Sequence, residues 1–396
     1  MNQRKIFFDH LGQTSPYPLA LEIAKAKGCY MYDKQDKPYL DLISGIGVSA
    51  LGHSHPAILE AVNRQVNDYM HLMVYGEFIE TPQIILAKAL TDTLPGNLNN
   101  VFLVNSGSEA TEGALKLAKR YTGRSKILSC YNAYHGSTQG ALSVCGNESL
   151  KNAFRPLLPN TYLFRFGIED DLELIDNTTA AVIIETIQGE AGVRISNEAY
   201  FEALAERCKK AGCLLILDEI QCGMGRTGKL WAFEHFKIRP DILLTAKGLG
   251  GGMPIGAFIS SKEIMSVLTN SPILGHITTF GGHPVSAAAA NATLTTIIKS
   301  GMLDEATQKG ELIKSLLTHE RIKDVRGIGL MIAVEFESYE ILAAIIQELL
   351  QMGILSDWFL FCDNSMRVAP PLIISEQEIK MACNQILQAI DNVYKK

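Results

Sequence analysis

The sequence predicts an α/β protein, with a large domain built on a mostly parallel, doubly wound sheet and a smaller α+β domain. Between about residues 100 and 260, short apolar runs typical of buried strands alternate with stretches of helical periodicity. Polar loops follow the apolar runs, as the ligand-binding edge of such a sheet requires. A chain of 396 residues is also too long for one simple core. We therefore divide it into an N-terminal segment that joins the small domain (1–45), the large domain (46–290) and the small C-terminal domain (291–396).

The beginning of the chain predicts a hairpin followed by a helix. Residues 29–45 alternate in hydrophobicity around a turn at 34–37, which is typical of two antiparallel strands. Pro56 then stands at the first turn of a stretch with helical periodicity. His53 and His55 form an HxH pair, but a pair in a loop without further ligands is a weak metal signal. We expect no metal site.

A strand, a turn and a helix in the next part of the chain predict an anion-binding site. The apolar run 101–104 is followed by the small residues Gly107 and Ser108, and then by a helical stretch that ends at Gly123. The free N–H groups and the dipole of a helix N-terminus favour a phosphate. The pattern alone also fits any capped helix, and no GK[ST] follows that would make it a P-loop.

The same alternation continues to the end of the chain. Further buried strands are expected at residues 126–129, 180–184, 213–217, 241–244 and 256–260. A long alanine-rich helix then leads out of the large domain. A strand pair around Gly327 and Gly329, a helix from Tyr339 and a turn at Asp363–Ser365 predict the smaller α+β domain.

The most informative stretch covers residues 213–252. Asp218 directly follows one apolar strand, and Lys247 comes three residues after the end of the next. The carboxyl ends of parallel strands meet at one edge of a sheet, where ligands bind. Pyridoxal phosphate requires a lysine that forms a Schiff base and an acid for its ring nitrogen. A lone Asp or Lys is more often a helix cap or a solvated charge, but here both stand at the ends of apolar strands.

Composition argues against several other classes of function. The net charge of −6 and the lack of basic runs argue against nucleic acid as a partner. No apolar run approaches about 18 residues, and the N-terminus lacks a signal-peptide pattern, so we expect a cytoplasmic protein without a membrane span. The eight cysteines are scattered without a CxxC pair, which is typical of reduced thiols. Cys222 is the thiol we expect to be most reactive, with packing as the alternative.

Seven segments carry a family signature over nearly the whole chain: NSGSEATEGALKLAK, YHG, ETIQGEAGV, LLILDEIQCGMGRTGK, TAKGLGGGMPIGA, TTFGGHP and MRVAPPL. In this order they resemble the class III pyridoxal-phosphate-dependent aminotransferases of fold type I. That family contains acetylornithine, ornithine, 4-aminobutyrate and putrescine aminotransferases. One segment alone is modestly specific, whereas seven in register are strongly so. The resemblance implies pyridoxal 5'-phosphate (PLP) as the cofactor, and an amine donor and a keto-acid acceptor as substrates.

The resemblance also implies roles for residues around the cofactor ring. Lys247 would hold the cofactor covalently and move a proton during catalysis, and Asp218 would pair with the ring nitrogen. Gln221 would lie near the phenolic oxygen. Tyr134 would stack on the ring face, with His135 beside it in the cofactor site. Without the family resemblance, an ordinary packing role would explain an aromatic residue at position 134 equally well.

Further residues are implied for the phosphate and the substrate. Gly107 and Ser108 would hold the phosphate through the helix N-terminus. Thr279 would reach the phosphate of the neighbouring subunit's cofactor, which implies a homodimer with shared active sites. Arg367 resembles the arginine that binds a substrate carboxylate, and Glu190 resembles the glutamate that neutralises this arginine when an amine occupies the site. A surface charge is the alternative for both.

One departure from the family pattern bears on the substrate. Acetylornithine and ornithine aminotransferases typically read HGR after the aromatic residue, and that arginine binds the α-carboxylate, but here Ser137 replaces it. Ile46 stands where ornithine enzymes have a tyrosine, and His283 stands where asparagine is usual. Arg155 is a candidate substitute, with a surface role as the alternative. We therefore expect donors without an α-amino-acid head, such as putrescine and 4-aminobutyrate.

The predicted function is transfer of the terminal amino group of an ω-amino acid or diamine to 2-oxoglutarate by a ping-pong mechanism. An aminomutase or decarboxylase that uses the same cofactor is the first alternative. A non-catalytic PLP-binding protein is the second. The presence of Lys247, Asp218 and Gln221 argues against the second, because a protein without catalysis would be free to lose them.

Overall fold

The computed structural model describes residues 3–74 and 76–395. Its helices are α1 (Gln3–His10), α2 (Ser44–Gly47), α3 (Pro56–Asp68), α4 (Thr81–Asp92), α5 (Gly107–Thr122), α6 (Gln139–Val144), α7 (Glu148–Lys151), α8 (Glu198–Ala211), α9 (Lys262–Met265), α10 (Pro284–Lys299), α11 (Met302–Leu316), α12 (Tyr339–Gln351) and α13 (Glu376–Lys395). Short 3-10 helices lie at Asn152–Phe154, Glu169–Leu174, Ala232–His235, Lys247–Gly250 and Ser266–Thr269. None of the helices in these two ranges is both long and apolar enough to cross a membrane.

The strands form three sheets. They are β1 (Ile23–Lys27), β2 (Tyr30–Asp33), β3 (Pro38–Asp41), β4 (Asn100–Val104), β5 (Lys126–Cys130), β6 (Thr161–Phe164), β7 (Thr179–Glu185), β8 (Leu214–Asp218), β9 (Ile242–Thr245), β10 (Gly256–Ser260), β11 (Asp324–Ile328), β12 (Met331–Glu335), β13 (Ile354–Leu355), β14 (Trp358–Phe359) and β15 (Cys362–Val368). Each strand expected between residues 100 and 260 is present within one residue of its predicted bounds.

The largest sheet has seven strands in the order β4-β10-β9-β8-β7-β5-β6. Its strands run parallel except for β10, which is antiparallel to both of its neighbours. The connection from β9 to β10 contains only a short 3-10 helix, so it is too short for the crossover that a parallel pair requires. The predicted mostly parallel sheet is confirmed, with this one exception.

The large sheet is buried on both faces because alternate residues of its strands belong to two separate hydrophobic cores. On β8, Leu215 and Leu217 belong to one core, whereas Leu214 and Ile216 belong to the other. All five residues of β8 are buried. Asp218, the only polar residue of this strand, therefore stands at its carboxyl end with apolar packing on either side.

Two four-stranded sheets complete the fold, in the orders β1-β2-β3-β13 and β11-β12-β15-β14. The predicted N-terminal hairpin is confirmed as the antiparallel pair β2 and β3. Leu40 of β3 also pairs in parallel with Ile354 of β13, so the N-terminal hairpin shares a sheet with the C-terminal part of the chain. The domain boundaries drawn from the sequence stay a prediction.

The turn predicted at Asp363–Ser365 is wrong. These residues lie within β15, and the turn falls earlier, at Leu360–Phe361. Asn364 accepts a hydrogen bond from the backbone N–H of Phe336 at 2.9 Å, and its side chain donates to the carbonyl of Phe336 at 3.1 Å. Pairing within the sheet therefore overrides the turn preference of an Asp-Asn-Ser sequence.

Candidate active site

A cavity of about 430 Å³ lies at the carboxyl ends of β8 and β9. Seven residues predicted for the cofactor site line it: Gly107, Ser108, Tyr134, His135, Asp218, Gln221 and Lys247. Ile187, Ile220 and Ile255 add apolar surface to its walls. The topology of the sheet thus brings together residues from four separate stretches of the chain. Their places just after predicted strands had indicated that they would meet at one edge of the sheet.

Asp218 is fixed by hydrogen bonds to both of its carboxylate oxygens. Its Oδ2 lies 2.7 Å from Nδ1 of His135, and its Oδ1 accepts a hydrogen bond from the backbone N–H of Ile220 at 3.0 Å. The other ring nitrogen of His135 lies 3.2 Å from Oγ of Ser129. Asp218 and His135 are only 3% and 2% exposed. The network therefore holds the carboxylate in one orientation inside a site from which water is largely excluded.

Lys247 stands two residues beyond the end of β9, at the start of a 3-10 helix. Its φ of 43° lies in the left-handed region, which is costly for a residue with a side chain. Burial lowers the pKa of its ammonium group, while the charge of Glu190 opposes this effect and that of Arg367 adds to it. Because of the lowered pKa, Lys247 has a larger fraction of neutral, nucleophilic amine than an exposed lysine at the same pH.

The N-terminus of α5 forms another wall of the cavity. The side chain of Ser106 caps the helix by accepting a hydrogen bond from the N–H of Glu109 at 3.2 Å. Gly107 and Ser108, whose amides have no carbonyl of their own helix to bind, line the cavity. A Cβ on Gly107 would lie 2.9 Å from Cδ1 of Ile220, so a larger residue would have to move that side chain. The wall has the amides and the helix dipole that bind a phosphate.

Glu190 and Arg367, 177 residues apart in the chain, form a buried ion pair next to Gln221. Nη2 of Arg367 donates to both carboxylate oxygens of Glu190 at 3.2 and 3.1 Å, and each side chain is 4% exposed. Gln221 donates to Glu190 at 3.0 Å and accepts from Arg367 at 3.4 Å. Burial opposes ionisation of Glu190, but the charges of Arg367 and Lys247 keep its pKa below the usual value. The sequence alone did not predict that the two residues touch.

Comparison with known proteins decides the family. Residues 12–390 match the family model described as aminotransferase class-III. An acetylornithine aminotransferase of Methanopyrus kandleri is 39% identical over 386 residues, which cover 96% of this chain and 96% of that protein. A putrescine aminotransferase of Pectobacterium atrosepticum is 38% identical, with 92% of this chain and 80% of that protein covered. The chain belongs to the class III aminotransferases.

The family resemblance of the seven segments is thereby confirmed, as is fold type I. The chain is a PLP-dependent aminotransferase that uses an amine donor and a keto-acid acceptor. An ornithine aminotransferase of Toxoplasma gondii has the same fold, with a TM-score of 0.92 at 30% identity, covering 99% of this chain and 94% of that one. That structure is described as having partial occupancy of PLP at its active site.

The cavity of this aminotransferase is chemically suited to PLP. Lys247 offers an amine for the aldehyde, Asp218 offers a carboxylate for the ring nitrogen, and the amides of Gly107 and Ser108 suit the phosphate. Gly136, which also lines the cavity, has a φ of 131°, and a Cβ there would lie 2.1 Å from Oγ of Ser108. The backbone at Gly136 thus packs so closely against Ser108, in the first turn of α5, that any side chain at position 136 would collide with it.

Sequence reasoning missed Glu185, the last residue of β7, which also lines the cavity. Its carboxylate accepts hydrogen bonds from the N–H groups of Tyr134 at 2.9 Å and Gly189 at 2.8 Å. Burial raises the pKa of Glu185 to about 7, an effect that His135 opposes and Asp218 strengthens. Glu185 thus ties two loops of the cavity wall together. The signal was present in the sequence, since Glu185 follows an apolar strand just as Asp218 does.

Five predicted residues are not part of the cavity lining: Glu190 and Arg367, which lie beside it, and Ser137, Arg155 and Thr279. Ser137 is exposed, with its hydroxyl 3.1 Å from that of Tyr134. Arg155 is exposed and forms an ion pair with Glu148. Thr279 is exposed in the single chain. The position of Arg155 favours its surface role over a role as a substitute for the missing arginine.

The contacts of the remaining candidates, Cys222, His53 and Ile46, give each of them a place in the packing or hydrogen bonding of the protein. Cys222 is 1% exposed, and burial raises the pKa of its thiol well above the usual range, so the packing alternative holds and the expectation of high reactivity is wrong. His53 pairs with Asp41 at 2.9 Å. Across residues 3–74 and 76–395, no cluster of three or more His, Cys, Asp or Glu side chains is arranged to hold a metal ion. Ile46 lies with Arg367 at a small cavity behind Gln221.

Replacing Arg367 with methionine should strongly destabilise the protein, because Glu190 would become an uncompensated buried charge. Removing one partner of a buried ion pair costs about 3–5 kcal/mol. The midpoint of urea unfolding of the cofactor-loaded protein measures this loss. Arg165→Met breaks the exposed ion pair with Asp171 and should shift the midpoint far less. Equal shifts in the two variants would show that the buried pair contributes no special stability.

Proposed function

We propose that this aminotransferase moves the terminal amino group of an ω-amino acid or diamine to 2-oxoglutarate by a ping-pong mechanism. The observation that carries the proposal is the buried Glu190–Arg367 pair beside the cavity that contains Lys247 and Asp218. Such a pair can present a neutralised arginine to an amine donor and a free arginine to a keto acid. Relatives named acetylornithine and putrescine aminotransferases support this class of donor.

Each residue of the cavity has a distinct part in the proposed reaction. When bound, PLP supplies a sink for the electrons released as the C–H bond at the reacting carbon breaks. Lys247 would hold the cofactor covalently until the donor's amine takes its place, and the Nζ thus set free would take up and return the proton at that carbon. Asp218 would keep the ring nitrogen protonated, oriented by His135. Gln221 would lie near the phenolic oxygen and Tyr134 on the ring face, while the first turn of α5 would hold the phosphate.

Glu190 and Arg367 would serve the two half-reactions in turn. With a donor that has only hydrogens on its reacting carbon, Glu190 would stay on Arg367. With 2-oxoglutarate, the carboxylate next to the reacting carbon would displace Glu190 and bind the guanidinium. The same site would thereby accept two chemically different substrates.

Ser137 bears on the end of the donor that lies away from the reacting amino group. A hydrogen-bonded arginine–carboxylate pair contributes about 1.5–3 kcal/mol, or roughly 10- to 150-fold in affinity. Ser137 cannot supply that pair, and Arg155 is already paired with Glu148. A donor without a carboxylate at its far end, such as putrescine, loses nothing from the replacement, and 4-aminobutyrate lacks the α-amino-acid head of ornithine. We therefore favour putrescine-like and 4-aminobutyrate-like donors over ornithine and N-acetylornithine.

The active unit would be a homodimer in which Thr279 reaches the cofactor phosphate of the partner subunit. Large apolar side chains near Thr279 in the chain are exposed, among them Ile273 at 76% and Phe280 at 53%. Ile79, just before α4, is 92% exposed. Ile273 also lines one groove with Phe78, which stands just before Ile79, and exposed apolar side chains that cluster are typical of an interface. This surface supports dimerisation through the segment that contains Thr279.

The alternatives from the sequence remain distinguishable. An aminomutase or decarboxylase would share the cofactor contacts but would have no need to exchange Glu190 for a keto-acid carboxylate on Arg367. A non-catalytic PLP-binding protein would not need that exchange either. A cytosolic location, supported by the scattered cysteines, and the division into residues 1–45, 46–290 and 291–396 belong to the same proposal.

Borohydride reduction should fix the cofactor on Lys247, because this lysine lines the cavity and has a lowered pKa. Mass-spectrometric peptide mapping should find the label on Lys247 and not on Lys229, an exposed lysine on a nearby loop. Lys247→Ala should fold but lose the label and essentially all turnover. A label on any other lysine would overturn the assignment.

The protein should sediment as a dimer at assay concentration, because the exposed apolar surface needs a partner. An obligate interface should bury more than about 2,000 Å². Ile273→Asp should weaken both association and activity, since it places a charge within that surface. Leu174→Asp, at an exposed leucine in another part of the chain, is the matched control and should change neither. A fully active monomer would rule out the shared site.

The donor panel tests the proposed function itself. With 2-oxoglutarate as acceptor, kcat/KM should be higher for putrescine and 4-aminobutyrate than for ornithine and N-acetylornithine, because Ser137 lacks the carboxylate contact. Formation of glutamate, followed in a coupled assay, measures transfer. A tenfold or greater lead of N-acetylornithine would show that its carboxylate is bound elsewhere. Absence of glutamate with every donor would favour the alternatives.

A further inference from the structure

A second carboxylate binds Arg367, and the proposed reaction does not yet use it. Oδ1 of Asp357 accepts a hydrogen bond from Nε of Arg367 at 2.8 Å, while Nη2 of the same guanidinium binds Glu190. The backbone N–H of Arg367 also donates to the carbonyl of Asp357 at 2.9 Å. The side chain of Asp357 is 28% exposed, against 4% for those of Arg367 and Glu190.

The two acids occupy different sides of the guanidinium. Because Asp357 uses Nε, a carboxylate that replaces Glu190 can still bind the Nη groups. Glu190 is further held by the N–H of Leu360 at 3.1 Å and by Gln221 at 3.0 Å. Gln221 also lines the cavity, so Glu190 occupies the side of the guanidinium that faces a substrate, and Asp357 occupies the other side. In the proposed exchange Glu190 is accordingly the acid that is displaced, and Asp357 is the acid that stays. Ring contact with Phe359, 4.3 Å from the guanidinium carbon, also helps to keep Arg367 in place.

The net charge of this cluster affects how favourably a carboxylate on the reacting carbon of the substrate binds. Asp357, Glu190 and Arg367 together carry a formal charge of −1. Burial lowers the pKa of Arg367, but the charges of the two acids outweigh burial and raise it overall. The charges of Glu190 and Arg367 act on Lys247, and Gln221 links the cluster to the cavity. A substrate carboxylate on the reacting carbon would bring a further negative charge into this site, because Glu190 leaves the guanidinium but remains part of the chain nearby. A primary amine with only hydrogens on that carbon would bring no such charge.

We propose that Asp357 is a specificity-determining residue that acts through Arg367 and disfavours substrates with a carboxylate on the reacting carbon. Its charge stays in the cluster when Glu190 is displaced, and it repels the entering carboxylate. Amines with only hydrogens on the reacting carbon are thereby selected as donors over α-amino acids that react at their α-carbon. The keto-acid acceptor binds comparatively weakly for the same reason. The inference rests on the proposed function, because it takes Arg367 as the residue that binds that carboxylate.

Asp357→Asn tests the inference, because asparagine keeps an oxygen that accepts from Nε but removes the charge. We expect the cofactor-loaded variant to bind glutarate, a non-reacting dicarboxylate, about five- to tenfold more tightly in calorimetry, as suits a partly exposed and screened charge. The ratio of kcat/KM for putrescine to that for L-glutamate should fall by a similar factor, through the KM for L-glutamate and not through kcat. Asp357→Glu should keep the wild-type ratio.

The control is Asp363→Asn, which removes a charge from an exposed residue of the same hairpin and should change neither measurement. Unchanged glutarate affinity together with an unchanged ratio in Asp357→Asn would overturn the inference. Weaker glutarate binding would also overturn it, because it would show that Asp357 only holds Arg367 in place. Calorimetry does not need turnover, so if no donor reacts, the proposed function fails while the role of Asp357 is still decided.

Discussion

Charged side chains at the end of a fully buried strand must find their partners inside the protein, and the active site depends on this constraint. An ionised carboxylate that leaves water without a partner loses many kcal/mol of hydration free energy. Asp218 ends β8 between two hydrophobic cores, and its partners are the ring of His135 and the amide of Ile220. The next residue, Gly136, has a φ of 131°, a conformation that favours glycine. Glu185 then secures the same loop through the amide of Tyr134.

The same constraint joins the two halves of the substrate site. Arg367 comes from β15 of a four-stranded sheet, whereas Glu190 follows β7 of the large sheet, and neither would be stable in its buried position alone. The ion pair therefore connects two different sheets of the protein as well as neutralising two charges. In the proposed reaction a substrate carboxylate would replace Glu190, because it brings the same charge to the same nitrogen atoms. An interaction that stabilises the fold would then also be one that is exchanged during the reaction.

Much of the large sheet and of the cofactor site could be predicted, because both follow from short-range patterns. Apolar runs locate strands, and the residues just after them, such as Asp218 and Lys247, must lie at one edge. Contacts that depend on register between distant segments could not be predicted. Examples are the contact of Glu190 with Arg367 and the binding of Asp357 to Nε, since one sequence does not determine which strands pair or in what register. The antiparallel β10 was missed for a different reason, because its direction depends on the short connection from β9, whereas the prediction rested on composition.

The pairing of β3 with β13 has a consequence for the synthesis of the chain. Leu40 and Ile354 are neighbours in one sheet, although the ribosome makes them about three hundred residues apart. Until β13 emerges, β3 has an unpaired edge, and residues that are buried in the finished protein, among them Tyr39 and Leu40, remain in contact with water. An apolar strand edge in a nascent chain readily pairs with other chains. The N-terminal hairpin of this protein is thus open to pairing with other chains until about nine tenths of the polypeptide, up to β13, has been translated.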